Sequence, residues 1–130
     1  MKAYQTSNKA IFQLNYHIIW CPKYRRSLLV GGVKSRLNEI IKDVSKENNY
    51  KILASEIMPN HVHLCISCSP NCPPHRIVKS LKGRTSNLLR KEFPELTKMC
   101  TLWTRSYFVA TVGNVSTDTV TKYIEDQWKK

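Results

Sequence analysis

A chain of 130 residues fills one compact domain and leaves no room for two. Hydrophobic residues at 42% and charged residues at 23% supply a core and exclude a disordered tail, and no run approaches the roughly 20 apolar residues of a membrane helix. The net charge of +12, from 21 Lys and Arg against 9 acids, argues for a polyanionic partner.

The charge is segregated. Residues 1–38 hold seven basic side chains and no acid, and residues 57–91 hold six and again none, whereas the other segments nearly balance. Two segments thus exceed the whole net charge. Such blocks suit nucleic acid, where each neutralised phosphate releases counterions; a solvated, solubilising surface is the plain alternative. The N-terminal MKAYQTSNKA lacks the apolar stretch of a secretory signal. Five cysteines, an odd number beside an adequate core, do not form a disulfide framework. A single soluble, cytoplasmic domain over 1–130 is expected.

In chain order, residues 11–21 alternate: Phe12, Leu14, Tyr16, Ile18 and Trp20 share one face, with Gln13, Asn15 and His17 opposite. That is a strand of period two. Pro22 ends it, and the basic loop Lys23, Tyr24, Arg25, Arg26 follows. Val33, Leu37, Ile40, Ile41 and Val44 recur at helical spacing over 33–48. Residues 50–58 read as a strand ended by a Pro59–Asn60 turn, and 61–67 alternate again, with Val62, Leu64 and Ile66 opposed to His61, His63 and Cys65. A helix is expected from about Pro74 to Arg90, a proline suiting the first turn. A fourth strand is expected from Trp103 to Val112, a break at Gly113–Asn114, and a final helix from about Thr117 with Val120, Ile124 and Trp128 as its stripe.

The order β-α-β-β-α-β predicts an α+β, ferredoxin-like antiparallel sheet with helices on one face, plus a C-terminal helix. The other face, carrying His17, His61 and His63, is expected to stay open as a working surface.

His61 and His63 sit two apart on a strand and point the same way, about 6–7 Å apart at the Cα level. Two imidazoles so placed can converge on one metal ion; a pair of ordinary sheet histidines is the alternative. Tyr123 and Gln127 are one helical turn apart. A tyrosine hydroxyl is a nucleophile and an amide oxygen a ligand for a hard ion, although periodicity alone favours Tyr123 as a core-packing flank of the Val120, Ile124 and Trp128 stripe. Cys65, Cys68, Cys72 and His75 have the spacing of a zinc or cluster run, but strand parity puts Cys65 and Cys68 on opposite faces, so a structural metal is not expected there. Cys21 and Cys100 read as small apolar residues. Lys23, Arg25 and Arg26 of the first loop, with Arg76, Lys79, Lys82 and Arg84 of the second helix, are the candidate phosphate contacts, and Trp20, Tyr24 and Tyr107 the candidate stacking platforms for unpaired bases. Gly113 is a strand-ending turn or a hinge.

These residues resemble the TnpA-type single-tyrosine HUH transposases of insertion sequences that move as single-stranded DNA. The resemblance runs from YHIIWCPKYRR at 16–26, through MPNHVHL at 58–64, SLKGRTSNLL at 80–89, FPEL at 93–96 and LWTRSYFVATVG at 102–113, to YIEDQ at 123–127. It implies that His61, His63 and Gln127 ligate a divalent ion, Mg²⁺ or Mn²⁺, and that Tyr123 is the nucleophile. It further implies a homodimer with composite active sites, a hinge at Gly113 before a terminal helix that is mobile or packed on the partner, and DNA hairpins as substrates, cut as single strands without ATP. Asn60 stands where the family commonly has Asp, and the cysteine loop at 68–72 is this chain's own. Two rivals remain: a cleavage-inactive DNA or RNA hairpin binder on the same fold, and a metal-dependent hydrolase that uses water in place of Tyr123. The central strands lack the aromatic run of an RNA-recognition sheet.

Overall fold

The protein, a computed structural model, is described over residues 14–112. Gly113, the expected terminal helix with its stripe, Tyr123 and Gln127 lie outside the described residues, as do Phe12 and Gln13.

Strand β1 (Leu14–Trp20) leads through a short 3-10 turn (Lys23–Arg25) to helix α1 (Gly31–Glu47). Strands β2 (Lys51–Met58) and β3 (His61–Cys68) form a hairpin, α2 (Pro74–Glu92) follows, and β4 (Phe108–Val112) closes the order. The sheet runs β2-β3-β1-β4 with every neighbouring pair antiparallel. Each helix therefore connects two strands that have a third between them, which is the ferredoxin-like arrangement read from the sequence.

Periodicity explains the layers. Val33, Leu37, Ile40, Ile41 and Val44 of α1 and Ile77, Val78, Leu81 and Leu89 of α2 are the buried stripes. They meet Tyr16, Ile18 and Trp20 of β1 and Val62, Leu64, Ile66 and Cys68 of β3 in one core. Gly31 opens α1 at φ +56, a left-handed conformation that a Cβ would strain. Asn48 closes the helix by donating its side-chain amide to the Val44 carbonyl, at 2.8 Å. Surface ion pairs add little to such a core: Arg36 grips Glu92 with two bonds of 2.8 and 3.1 Å, and Arg84 meets Glu47 at 2.8 Å.

Three expectations need correction. The face opposite the helices is not open: His17, His61 and His63 are only 4%, 8% and 3% exposed, and every residue of β3 is buried. Ile19 and Cys65 form a second small apolar cluster there, flanked by Leu53, Ala54 and Val112. β1 and β3 are the two central strands of the sheet, paired along both edges. The fourth strand begins at Phe108, not Trp103. Trp103 instead makes a lone bridge to Pro22, packs edge-on against Trp20 at 5.8 Å, and donates its indole N–H to Thr85 Oγ1 at 3.0 Å. Cys100 is exposed, whereas Cys21 is buried as expected. Strand parity holds, with Cys65 in the small cluster and Cys68 in the main core.

Candidate functional site

The two-residue loop Pro59–Asn60 fixes the hairpin register, because a loop that short leaves the strands one way to pair. Met58 lies opposite His61, Ile57 opposite Val62 and Glu56 opposite His63. Val62 anchors the strand in the helix-side core, which turns both imidazoles to the other face. Their ring centroids are 5.4 Å apart and tilted by 42°. His61 Nδ1 lies 2.9 Å from Asn60 Oδ1, and His63 Nε2 lies 3.0 Å from Glu56 Oε1. Sequence reading passed over Glu56. The signal was present, since counting back through a two-residue hairpin puts that carboxylate across from His63.

Burial dominates the electrostatics. It pushes His61 from its ordinary 6.5 down to about 4, helped by His63 and Arg25 and opposed by Glu56. Burial also lowers His17, which lies on β1 across from Cys65. His61 is therefore neutral at pH 7, the form in which imidazole offers a lone pair to a metal. A neutral His61 imidazole with a second imidazole beside it fits a nitrogen-accepting divalent ion such as Mn²⁺. Among the described residues no third His, Cys, Asp or Glu completes a cluster with the pair.

Arg25 ties the first basic loop to this site, since its charge is felt at His61. Tyr24 and Arg25 adopt left-handed φ of 60° and 52°, uncommon outside glycine and asparagine. The turn leaves Tyr24, Arg25 and Arg26 exposed, and Lys23 sits 5.7 Å over the Tyr24 ring. Its backbone is bridged to the far segment: Lys23 N–H donates to Leu102 at 2.8 Å, and Thr104 N–H to Cys21 at 3.0 Å.

The α2 candidates lie in the helix layer, across the sheet from the histidines. Arg76, Lys79 and Arg84 are exposed on one shallow basic surface. Arg84 is paired with Glu47, and Lys82 turns inward: its ammonium collects the carbonyls of Thr104, Arg105 and Ser106 at 2.6, 3.3 and 3.4 Å. Burial lowers the Lys82 pKa. A groove of about 500 Å³ between α2 and residues 101–107 carries Lys79, Lys82, Arg90 and Arg105 with no acid on its walls. Of the stacking candidates, Tyr24 at 77% and Tyr107 at 43% are exposed, but Trp20 at 1% is core and cannot meet a base.

Among the described residues no helix is long and apolar enough to cross a membrane. Comparison with known proteins agrees with the fold and the motifs. The family model described as "Transposase IS200 like" matches residues 10–127. The chain is 37% identical over 123 residues to the ISDra2 transposase TnpA of Deinococcus radiodurans, spanning 92% of this chain and 88% of that protein. It is 30% identical over 115 residues to the transposase for insertion sequence element IS200 of Salmonella typhimurium, spanning 86% and 75%. A 1.90 Å crystal structure from Deinococcus radiodurans superposes with a TM-score of 0.78 at 34% identity, covering 95% of this chain and 97% of that one. A tyrosine transposase solved with a REP hairpin shares the fold alone, with a TM-score of 0.58 at 15% identity over 97% and 68%. With motif order, sheet topology and relatives in agreement, the chain belongs to the IS200-like transposase family.

Proposed function

We propose that this transposase cleaves and rejoins single-stranded DNA at hairpin ends through a 5′-phosphotyrosine on Tyr123, with a divalent ion, Mg²⁺ or Mn²⁺, held by His61, His63 and Gln127. The observation that carries the reading is the pair of buried imidazoles 5.4 Å apart on one strand, in a chain of this family. The bound ion would supply charge neutralisation at a non-bridging phosphate oxygen.

The remaining chemistry belongs to the chain. The Tyr123 oxygen attacks phosphorus, the bond from phosphorus to the 3′-oxygen breaks, and the proton released by the phenol ends on the departing 3′-hydroxyl. One phosphodiester is exchanged for another, so a second 3′-hydroxyl can reverse the step and join new ends without ATP. In-line placement of the nucleophile accounts for much of such catalysis. Lys23, Arg25 and Arg26 are suited to grip the phosphates beside the histidines, while Arg76 and Lys79, with Arg84 at the edge, suit a duplex or hairpin backbone on the helix side. Lys82 serves this surface by holding the 104–106 segment in place. A homodimer with sites shared between protomers, and a hinge at Gly113, complete the proposal. A hairpin is a fitting substrate because a fold relative was solved bound to one.

The test is a denaturing gel. End-labelled single-stranded DNA carrying the element's terminal hairpins is incubated with Mn²⁺ or Mg²⁺, beside Tyr123→Phe and a chelator control. A label shifted to protein size, lost in the variant and in chelator, is the expected result. Cut DNA without an adduct would point to water as nucleophile, and binding with neither product would leave a cleavage-inactive hairpin binder.

A further inference from the structure

Strand β3 ends at Cys68, and the tight turn after it brings a second thiol back toward the same patch of core. Cys72 N–H donates to the Ser69 carbonyl at 3.0 Å, and Asn71 N–H to Ser69 Oγ at 3.1 Å. Ser69 to Cys72 is thus a closed β-turn, with Pro70 at the position its fixed φ suits. Cys68 is 2% exposed within the helix-side core, and the half-buried Cys72 packs against that core. Cys72 Sγ lies 4.0 Å from the Tyr50 hydroxyl, which in turn lies 3.4 Å from Ser80 Oγ on α2. Charge on either sulfur is felt at the phenols of both Tyr16 and Tyr50, so the two thiols surround one pair of rings. They also act on each other: burial, with Cys72 adding to it, pushes the Cys68 thiol up to about 11. We infer that Cys68 and Cys72 form a thiol–disulfide exchange site, which reacts with a small disulfide and closes reversibly into a bridge between the end of β3 and the segment entering α2.

The surroundings decide both the chemistry and its order. A structural metal takes four ligands, and among the described residues no group of three His, Cys, Asp or Glu stands ready to hold one. Two adjacent thiols without further ligands exchange with disulfides instead. Of the two, Cys72 is the one that reaches water, so it reacts first. Its sulfur, having lost its proton, attacks one sulfur of the small disulfide, whose S–S bond breaks; the first small thiol leaves with that proton. Cys68 then gives up its proton and attacks Cys72 Sγ, and the second small thiol departs with the proton. Two protein thiols are oxidised by two electrons in all, and one small disulfide is reduced to two thiols. The bridge closes a short loop and so removes little chain entropy, which keeps it easy to reopen. The exchange is independent of the DNA chemistry proposed above.

The test uses the full-length protein, reduced, freed of reductant and incubated with excess oxidised glutathione. After an acid quench, open thiols are alkylated in denaturant with N-ethylmaleimide and located by mass spectrometry of the intact chain and its peptides. The wild type should lose alkylation at Cys68 and Cys72 together, without glutathione on either, and dithiothreitol should restore both. Exposed Cys100 should carry glutathione, which shows the oxidant to be active. In Cys68→Ala, Cys72 should stop at the mixed disulfide with glutathione; in Cys72→Ala, Cys68 should stay open to alkylation. Circular dichroism of the oxidised wild type should match that of the reduced protein, because the bridge closes within the fold. Glutathione left on Cys72 of the wild type, with Cys68 still alkylated, would overturn the inference, and so would modification of Cys100 alone. A bridge that forms only as the dichroism shows the fold lost would overturn it too. These wild-type outcomes decide the matter even where an alanine variant fails to fold.

Discussion

The two faces of the sheet are built from the same strands by opposite rules. On the helix side, alternate residues of β1 and β3 are large hydrocarbons that interlock with two helices. On the other side, the intervening residues are His17, Ile19, His61, His63, Cys65 and Ser67, equally buried yet mostly small or polar. Burial alone therefore does not distinguish structure from function. What differs is chemistry: one face excludes water with hydrocarbon, the other with groups that can ligate, donate and titrate. The lesson is that polar residues on a central strand need not mark solvent, and here they mark the candidate site.

The comparison is sharpened most by adjacent residues on β3. Leu64→Ala removes hydrocarbon from the helix-side core and should cost about 2–5 kcal/mol, whereas Cys65→Ala, one residue on and facing the other way, should cost about 1 kcal/mol or less. Urea unfolding of both variants measures the pair, and equal costs would collapse the distinction.

A second expectation follows from titration, with chelator present throughout. His61 titrates near 4 in the folded protein against 6.5 ordinarily, so the unfolded chain takes up its proton first as acid is added. Its contribution to stability is full above pH 6.5 and is lost as pH falls from there toward 4. His17, lowered by burial, acts in the same direction. The urea midpoint should fall between pH 7 and pH 4.5, and His61→Gln should flatten that slope. A wild-type midpoint constant over this range would show that the histidine face is not sealed.

The smallest effect lies in the helix layer. Arg76→Ala and Lys79→Ala should each lower the slope of log affinity against log salt for single-stranded DNA by about 0.7. Lys82→Ala should leave the slope unchanged, because its ammonium is spent on three carbonyls. A slope change in Lys82→Ala equal to that of Lys79→Ala would make it a phosphate contact after all.

Much of this was legible in the sequence. The element order, the α1 stripe and the parity of β1 and β3 follow from periods of 3.6 and 2, because long alternating segments have only one way to bury their apolar half. The histidine pair was visible as a motif. Other features were less so, for identifiable reasons. Trp103 looked like strand because aromatic residues favour strands, yet it serves as a core plug tied to Thr85, while Lys82 draws the next carbonyls off an extended path. Trp20 looked available for stacking because its neighbours are basic, although its parity already placed it inward. Glu56 was hidden because a lone acid on an edge strand carries no local signal; it acquires meaning only from the register.

The burial of β3 on both faces has a dynamic consequence. Its amides are flanked by β2 on one side and β1 on the other along its length, and none of its side chains reaches freely into water. Partial openings that release loops or the outer strands leave such a segment protected, so its hydrogens exchange with solvent only when the whole domain unfolds. The two histidines are thus mounted on the last of the described strands to come apart, and their spacing survives local breathing of the outer ones.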